Sequence, residues 1–289
     1  MHAKVKMIRN MFAKSDKKRD RDFTIPEGVK RIDDIRYGKD AKWNLLDVYM
    51  PEKIEGVHKT IISVHGGAWV YGEKETYQYY CMDLARRGFI VVNMNYRLAP
   101  ENPFPAALED INKTFWWVNT HGEEYQIDKK NLFVVGDSAG AQLASQYITL
   151  LENPEYQKVL KLKPPALNVK GVALNCGVYD MKSYYVNEKD DILKEYFKKD
   201  VSEDKIDVMK YMNEKFPPAY IMTAHGDFLK EHADPLYEKL RSLGVNCTYR
   251  MYGEEENQEI GHVFHLNIAL KEAKECNDEE CRFFDQQIQ

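Results

Sequence analysis

The sequence predicts an α/β fold: a mostly parallel central sheet with helices on both faces and a small helical lid. Short continuous apolar runs, of which Leu132 to Val135 is the clearest, have the pattern of strands buried on both sides. They alternate with helical segments, as parallel crossover units require. At Gly136-Asp137-Ser138-Ala139-Gly140 one run passes directly into small and apolar residues suited to a helix packed on a sheet. The 289 residues suffice for one such domain with a large core. The expected organisation is a single domain over residues 1–289, with an N-terminal helical cap segment over 1–28 and a lid insert over 179–217.

The first twenty residues carry Lys4, Lys6, Arg9, Lys14, Lys17, Lys18 and Arg19 against Asp16 and Asp20, while Val5, Ile8, Met11 and Phe12 recur at helical spacing. This is a basic amphipathic helix, expected to pack on its own domain rather than on a membrane surface. Pro26 and Gly28 close it off. Arg31 to Tyr37 and Leu45 to Met50 read as two antiparallel strands around a Gly38-Lys39-Asp40 turn. Thr60 to Val64 is the first largely apolar strand and ends in His65-Gly66-Gly67-Ala68-Trp69. A helix over Tyr77 to Arg87, stopped by Gly88, leads into a strand over Phe89 to Asn95.

Three prolines between Tyr96 and Ala107 impose an extended loop, and a helix from Ala106 through Trp117 follows. After the Leu132 strand and its helix comes a strand over Val169 to Leu174. The segment from Tyr179 to Pro217 breaks the alternation, being rich in Lys, Asp, Glu and Tyr, and reads as a lid beside the crevice that open α/β sheets form at their strand ends. Tyr184, Tyr185 and Tyr196 are its candidate crevice residues. Ala219 to Thr223 is the next buried strand, ending in His225-Gly226-Asp227, and a helix to Leu243 is ended by Gly244. Asn246 to Tyr252 alternates as the last strand. An acidic loop with Glu254, Glu255 and Glu256 then leads through Gly261-His262-Val263-Phe264-His265 to a terminal helix.

Composition excludes several roles. A net charge of −5 and a pI near 6.0 do not suit a general nucleic-acid binder, and no glycine-rich phosphate loop is present. Cys81, Cys176, Cys247, Cys276 and Cys281 are scattered, with no Cys-x-x-Cys pair, and read as free thiols of a reducing compartment. No apolar run approaches the roughly 18 residues of a membrane span, and the N-terminus lacks the apolar core of a secretory signal. A cytoplasmic location is expected. His225, Asp227, Glu231 and His232 superficially offer metal ligands, but their spacing matches no zinc signature, so neither metal nor cofactor is expected.

Gly136 to Gly140 is Gly-x-Ser-x-Gly in the setting it requires, strand before and helix after. The glycines fit because a strand turning at once into a helix strains the serine and leaves no room for larger neighbours. Ser138 is then either a nucleophile or merely a helix cap. A serine hydroxyl needs a base, an acid to orient the base, and donors for the oxyanion. The paired glycines after the Thr60 strand either turn N–H groups outward as such donors or form an ordinary turn. Asp227 stands at the same sheet edge as Ser138, and His262 follows the last strand. The order Ser138, Asp227, His262 is the α/β-hydrolase order. His262 is preferred to His265 as the base because His265 falls inside the pattern of the last helix.

His65 to Trp69, Tyr96 to Ala107, Gly136 to Gly140, Asp227-Phe228-Leu229 and the His262 loop together resemble the hormone-sensitive-lipase-like family of α/β-hydrolase esterases, over roughly residues 45 to 270. The Tyr96 to Ala107 run is the most specific piece, being long and without an evident mechanical role. The resemblance implies that Gly67, Ala68 and Ala139 donate backbone N–H groups to the oxyanion. Ala68 stands where the family often has a third glycine, which a backbone donor tolerates. The histidine segment Gly261-His262-Val263 departs from the family's frequent His-Gly-Phe.

The implied activity is that of a serine carboxylesterase acting on a small-molecule ester with short acyl groups, with Trp69, Tyr184 and Tyr185 as candidate substrate-binding residues. The alternatives are a carbohydrate acetyl or feruloyl esterase, an N-formyl aryl amine formamidase sharing the His-Gly-Gly-x-Trp loop, and, remotely, a non-catalytic small-molecule receptor. A homodimer is one option for the assembly.

Overall fold

Period-two alternation along the apolar strands sorts their side chains onto two faces, and helices cover both. A computed structural model describes residues 3–187, 191–198, 201–256 and 260–288. The chain opens with the helix α1 (Ala3–Asp20), the strands β1 (Val29–Arg36), β2 (Leu45–Pro51) and β3 (His58–Val64), then α2 (Lys74–Arg86) and β4 (Ile90–Met94). It continues through α3 (Ala106–His121), β5 (Ile127–Asp137), α4 (Ala139–Glu152), α5 (Pro154–Leu160) and β6 (Val169–Asn175). Four short helices follow: α6 (Met181–Asn187), α7 (Asp191–Phe197), α8 (Glu203–Ile206) and α9 (Val208–Tyr211). The last elements are β7 (Ala219–Ala224), α10 (Ala233–Ser242), β8 (Cys247–Tyr252) and α11 (Lys271–Asp285).

The eight strands form one sheet in the order β1-β2-β4-β3-β5-β6-β7-β8. β2 runs antiparallel to both β1 and β4, and every pairing from β4 through β8 is parallel. The predicted antiparallel start and parallel centre are therefore both present. Ile62, Val64, Val134, Val172 and Ile221 face a core closed by α3, α4 and α10. Ile61, Phe133, Val135, Ala173 and Tyr220 face the opposite core, closed by α2 and α11. Each large apolar side chain fully buried there contributes about 1.5–3 kcal/mol.

The predicted strands and helices agree with these elements to within a few residues at their ends. α5 adds to them, with a local cause: Asn153 Oδ1 accepts the N–H groups of Glu155 (2.9 Å) and Tyr156 (3.1 Å), and Pro154 takes the first turn.

α1 lies on its own body, as its sequence suggests, but apolar contact is not its main anchor. Val5 alone among its residues is fully buried. Two arginines add polar anchors. Arg9 donates to the carbonyls of Val70 (2.7 Å) and Ala99 (2.9 Å) and grips Glu101 with both terminal nitrogens. Arg19 donates to the Thr76 carbonyl (2.7 Å) and pairs with Asp16 and Asp20. The insert between β6 and β7 folds as α6 to α9, of which residues 188–190 and 199–200 lie outside the described residues. Among the described residues no helix is long and apolar enough to cross a membrane.

Candidate active site

Three strand ends bring the chemistry to one edge of the sheet. β5 ends at Asp137 and α4 begins at Ala139, so Ser138 alone makes the turn, at φ 52° and ψ −121°. The neighbouring glycines are required by close approach. A Cβ on Gly140 would lie 2.1 Å from the Val64 carbonyl oxygen, and one on Gly136 would lie 2.4 Å from that of Gly140. Ser138 N–H is held by the Asn175 carbonyl at the end of β6 (2.8 Å), which fixes the elbow to the neighbouring strand.

Asp227 follows β7, and His262 follows β8. A parallel bridge between Gly226 and Gly261, the residues just before each of them, carries the pairing of the two strands one step further and sets the side chains together. His262 Nε2 is 2.9 Å from Ser138 Oγ, and His262 Nδ1 is 2.7 Å from Asp227 Oδ1. Asp227 also accepts the Leu229 N–H at Oδ1 (2.9 Å) and the Thr223 hydroxyl at Oδ2 (2.8 Å). Burial alone would push the Asp227 carboxyl up. The hydrogen bond and charge of His262, with the two other donors, outweigh it and hold the carboxyl below its ordinary range. Asp227 therefore carries its negative charge at neutral pH, and Nδ1 of the imidazole keeps its proton.

Facing Ser138 is the loop after β3. Gly67 (φ 118°), Ala68 (φ 50°) and Trp69 (φ 59°) all lie in left-handed backbone, which turns successive N–H groups to one side. The N–H groups of Gly67 and Ala68 have no acceptor among the described residues. That of Ala139, the first residue of α4, has no intrahelical partner by geometry. Gly67, Ala68 and Ala139 all line the cavity beside Ser138.

His65, fully buried, braces this loop. Burial lowers its pKa to about 4, so the ring is neutral, stacks on Tyr96 (centroids 4.0 Å apart) and donates from Nδ1 to the Gly66 carbonyl (2.8 Å). That carbonyl belongs to the same peptide unit as the Gly67 N–H. Holding one inward aims the other outward.

His265 is placed elsewhere than the sequence suggests. It sits in a 3-10 turn over Phe264–Leu266 ahead of α11, not within the last helix, and is fully buried with neither ring nitrogen hydrogen-bonded among the described residues. Burial lowers its pKa to about 3. It is a core group.

A cavity of about 470 Å³ opens above Ser138 and His262. Trp69 and Tyr184 line it. Tyr185 does not, since adjacent residues on α6 point about 100° apart, and its ring packs edge-on against Phe197 (5.0 Å). Tyr196 is buried beneath the wall, stacked on Trp69 (4.9 Å). α1, expected as a cap segment, supplies a wall with Ile8, Met11, Phe12, Ser15, Asp16 and Arg19, and Phe228, 75% exposed and not among the expected site residues, lies 4.4 Å from the His262 ring.

Of the described histidine, cysteine and acidic side chains, Cys176, Asp227 and His262 approach closely enough to share an ion, but Asp227 and His262 already engage each other.

The sheet order, the strand–serine–helix elbow and the acid and histidine on later strand ends are those of the α/β-hydrolase fold. The family described as the alpha/beta hydrolase fold matches residues 61–266, and the chain belongs to it. Bovine (Bos taurus) arylacetamide deacetylase is 32% identical over 158 residues, covering 52% of this chain and 39% of that protein. Versiconal hemiacetal acetate esterase of Dothistroma septosporum is 28% identical over 228 residues, covering 73% of this chain and 68% of that one. Esterase B of Lactobacillus rhamnosis superposes with a TM-score of 0.89 at 27% identity, over 99% of this chain and 96% of that one. The chain spans 30–39% of the length of the curated relatives it matches at 32% identity. The resemblance to esterases of this fold that the motifs carry is borne out by these matches.

Proposed function

We propose that this chain is a serine carboxylesterase that hydrolyses short-chain acyl esters through an acyl-enzyme. The observation that carries the reading is the continuous hydrogen-bonded chain from Ser138 Oγ through the His262 ring to Asp227. The esterase names borne by the relatives and by the solved structures of this fold support it.

The steps follow from the geometry. His262 Nε2 takes the Ser138 proton as Oγ bonds to the ester carbonyl carbon, and Asp227 stabilises the imidazolium that forms. The carbonyl oxygen becomes an oxyanion facing the N–H groups of Gly67, Ala68 and Ala139. The bond to the alcohol oxygen breaks, and that oxygen receives the proton from Nε2. Water then attacks the acyl-serine with His262 again as base, and the acid leaves with Ser138 restored.

Asp227→Asn separates charge from geometry. The amide oxygen can stay at the Oδ1 position, on the Leu229 N–H and His262, while the amide nitrogen meets a Thr223 hydroxyl free to turn and accept. The imidazole thus keeps its tautomer and loses only its counter-charge. We expect kcat/KM for p-nitrophenyl acetate to fall about 10²- to 10⁴-fold with little change in Tm. A loss below tenfold would remove Asp227 from its role.

Acyl length is the second test. The sequence suggests that α1 has too few large apolar residues to cover a long alkyl chain; in the fold Ile8, Met11 and Phe12 do reach the wall, so the limit must come from elsewhere. It comes from size, since about 470 Å³ lies toward the small end of ligand pockets, and from Asp16 and Arg19, which interrupt the apolar lining. A buried methylene contributes about 0.8 kcal/mol only where apolar wall replaces water. One structure of esterase B is of a form inhibited by a C4-C4 tributyrin phosphonate, which fits the same range. With p-nitrophenyl esters, kcat/KM is expected to peak between acetate and butyrate and to fall by the octanoate. A maximum at decanoate or beyond would overturn the short-chain reading.

A further inference from the structure

The three oxyanion donors come from two separate pieces of chain. Gly67 and Ala68 belong to the loop after β3, and Ala139 to the elbow after β5. Their spacing is only as good as the connection between those pieces, and a misplacement of about 1 Å in such a site costs on the order of 10²-fold in rate. The strands β3 and β5 pair in register as far as Val64 and Gly136. Beyond that point side chains must do the work.

Tyr77, on α2, lies between the two pieces. Its hydroxyl accepts the Gly66 N–H (2.8 Å) and donates to Asp137 Oδ2 (2.7 Å). Gly66 immediately precedes the donor Gly67. Asp137 immediately precedes Ser138 and the donor Ala139. The contact is tight, because a Cβ on Gly66 would lie 2.8 Å from Asp137 Oδ2 and 2.9 Å from the Tyr77 hydroxyl.

The other end of the same peptide unit is held as well, by the Tyr96 hydroxyl on the His65 carbonyl (2.8 Å). Asp137 is an acid buried in the floor of the site that the reaction itself does not use. Around it stand Tyr77 from α2, His262 from the loop after β8, Arg19 and Asp16 from α1, and, farther off, Tyr96, Tyr179, Glu280 and Cys81. Tyr77 has one proton to give, and with Gly66 N–H on its lone pair the acceptor for that proton is the Asp137 carboxylate.

We propose that Tyr77 is a positioning residue, which with Asp137 forms a strap holding the two halves of the oxyanion hole at the spacing the tetrahedral intermediate needs. The strap rests on the esterase reading above and adds to it a role for the variable residue of the Gly-x-Ser-x-Gly turn. It acts through the backbone of Gly67 and Ala139 and touches neither the nucleophile nor the base. Its removal should weaken the transition state and leave ground-state binding intact.

The decisive comparison is Tyr77→Phe against the wild type at about pH 8.5, where Asp137, lifted by burial to about 7, is ionised. With p-nitrophenyl butyrate, KM is expected to stay within about twofold while kcat falls about ten- to hundredfold, part of what losing a whole oxyanion donor costs. The rate of inactivation by a p-nitrophenyl phosphonate, whose adduct on Ser138 carries a tetrahedral oxyanion, should fall by the same factor. Asp137→Ala, which leaves no acceptor for the Tyr77 hydroxyl, should lose a similar amount, and the double variant no more than the larger single loss, because both changes cut one strap.

A Tyr77→Phe enzyme with kcat within twofold of wild type overturns the proposal, as do additive losses in the double variant. A raised KM with kcat intact would make Tyr77 a substrate contact instead. A lowered kcat with unchanged phosphonate inactivation would also reject it. Should Tyr77→Phe not fold, Asp137→Ala decides by the same two readouts. A wild-type protein that neither turns over esters nor reacts with the phosphonate would bring down the esterase reading and this one with it. An active wild type matched by Tyr77→Phe brings down the strap alone.

Discussion

Ser138→Ala is expected to lower ester turnover by about 10⁴-fold or more while leaving the fold intact. The hydroxyl makes one side-chain hydrogen bond, to His262 Nε2, and that bond is across the cavity rather than within the core. The residue's backbone N–H, on the Asn175 carbonyl, is untouched by the change. Alanine at φ 52° meets the same backbone strain as serine does, so the substitution neither adds nor relieves it. Tm should therefore stay within a few degrees, measured by thermal unfolding alongside p-nitrophenyl butyrate turnover. Near-wild-type activity in a folded Ser138→Ala protein would overturn the assignment of the nucleophile and every step built on it.

The elbow at Ser138 was legible because its constraints are local. Gly136, Ser138 and Gly140 are neighbours in sequence, and the strand before and the helix after are visible in the pattern of apolar residues. Asp227 was legible by its position after an apolar run, and His262 by following the last strand. What holds them was not. Thr223, the Leu229 N–H and the Gly226–Gly261 bridge act through pairings between β7 and β8, and such pairings leave no periodic trace. The misplacement of His265 has the same root. Helical spacing over Val263 to Leu266 reflects a short 3-10 turn and burial, not the start of α11.

The run from Tyr96 to Ala107 shows how a specific sequence can conceal its mechanical reason. Read alone it has no evident one. In the fold, Tyr96 holds the His65 carbonyl, Arg97 pins the loop to Asp110 and Glu109 of α3, and Glu101 receives Arg9 of α1. One loop thus ties the oxyanion segment, a helix on the sheet and the N-terminal helix over the cavity. The walls of that cavity were equally hidden, since Met11 and Phe228 meet around Ser138 only after the whole sheet has formed.

His262→Ala is expected to be as damaging as the serine change, and His265→Ala to leave turnover nearly intact while lowering Tm. The two histidines stand three residues apart and differ in everything the chemistry needs. His262 is partly exposed to the cavity, with one nitrogen on Ser138 Oγ and the other on a carboxylate held ionised by its surroundings. Removing it leaves Ser138 without a proton acceptor and Asp227 with an unpaired charge, so kcat should fall by about 10⁴-fold or more. A small exogenous base such as imidazole should recover part of that loss, entering the space vacated beside Phe228.

His265 is neutral, fully buried and edge-on to Tyr80 (5.2 Å). Its truncation opens a void in a packed core, a change that costs about 2–5 kcal/mol for large side chains, and Tm should drop by several degrees. Assays of the His265 variant well below its Tm, set beside the His262 variant with and without imidazole, separate catalysis from packing. Equal losses of kcat in two folded variants, or a loss confined to His265→Ala, would move the base to His265 and break the reading of the loop after β8.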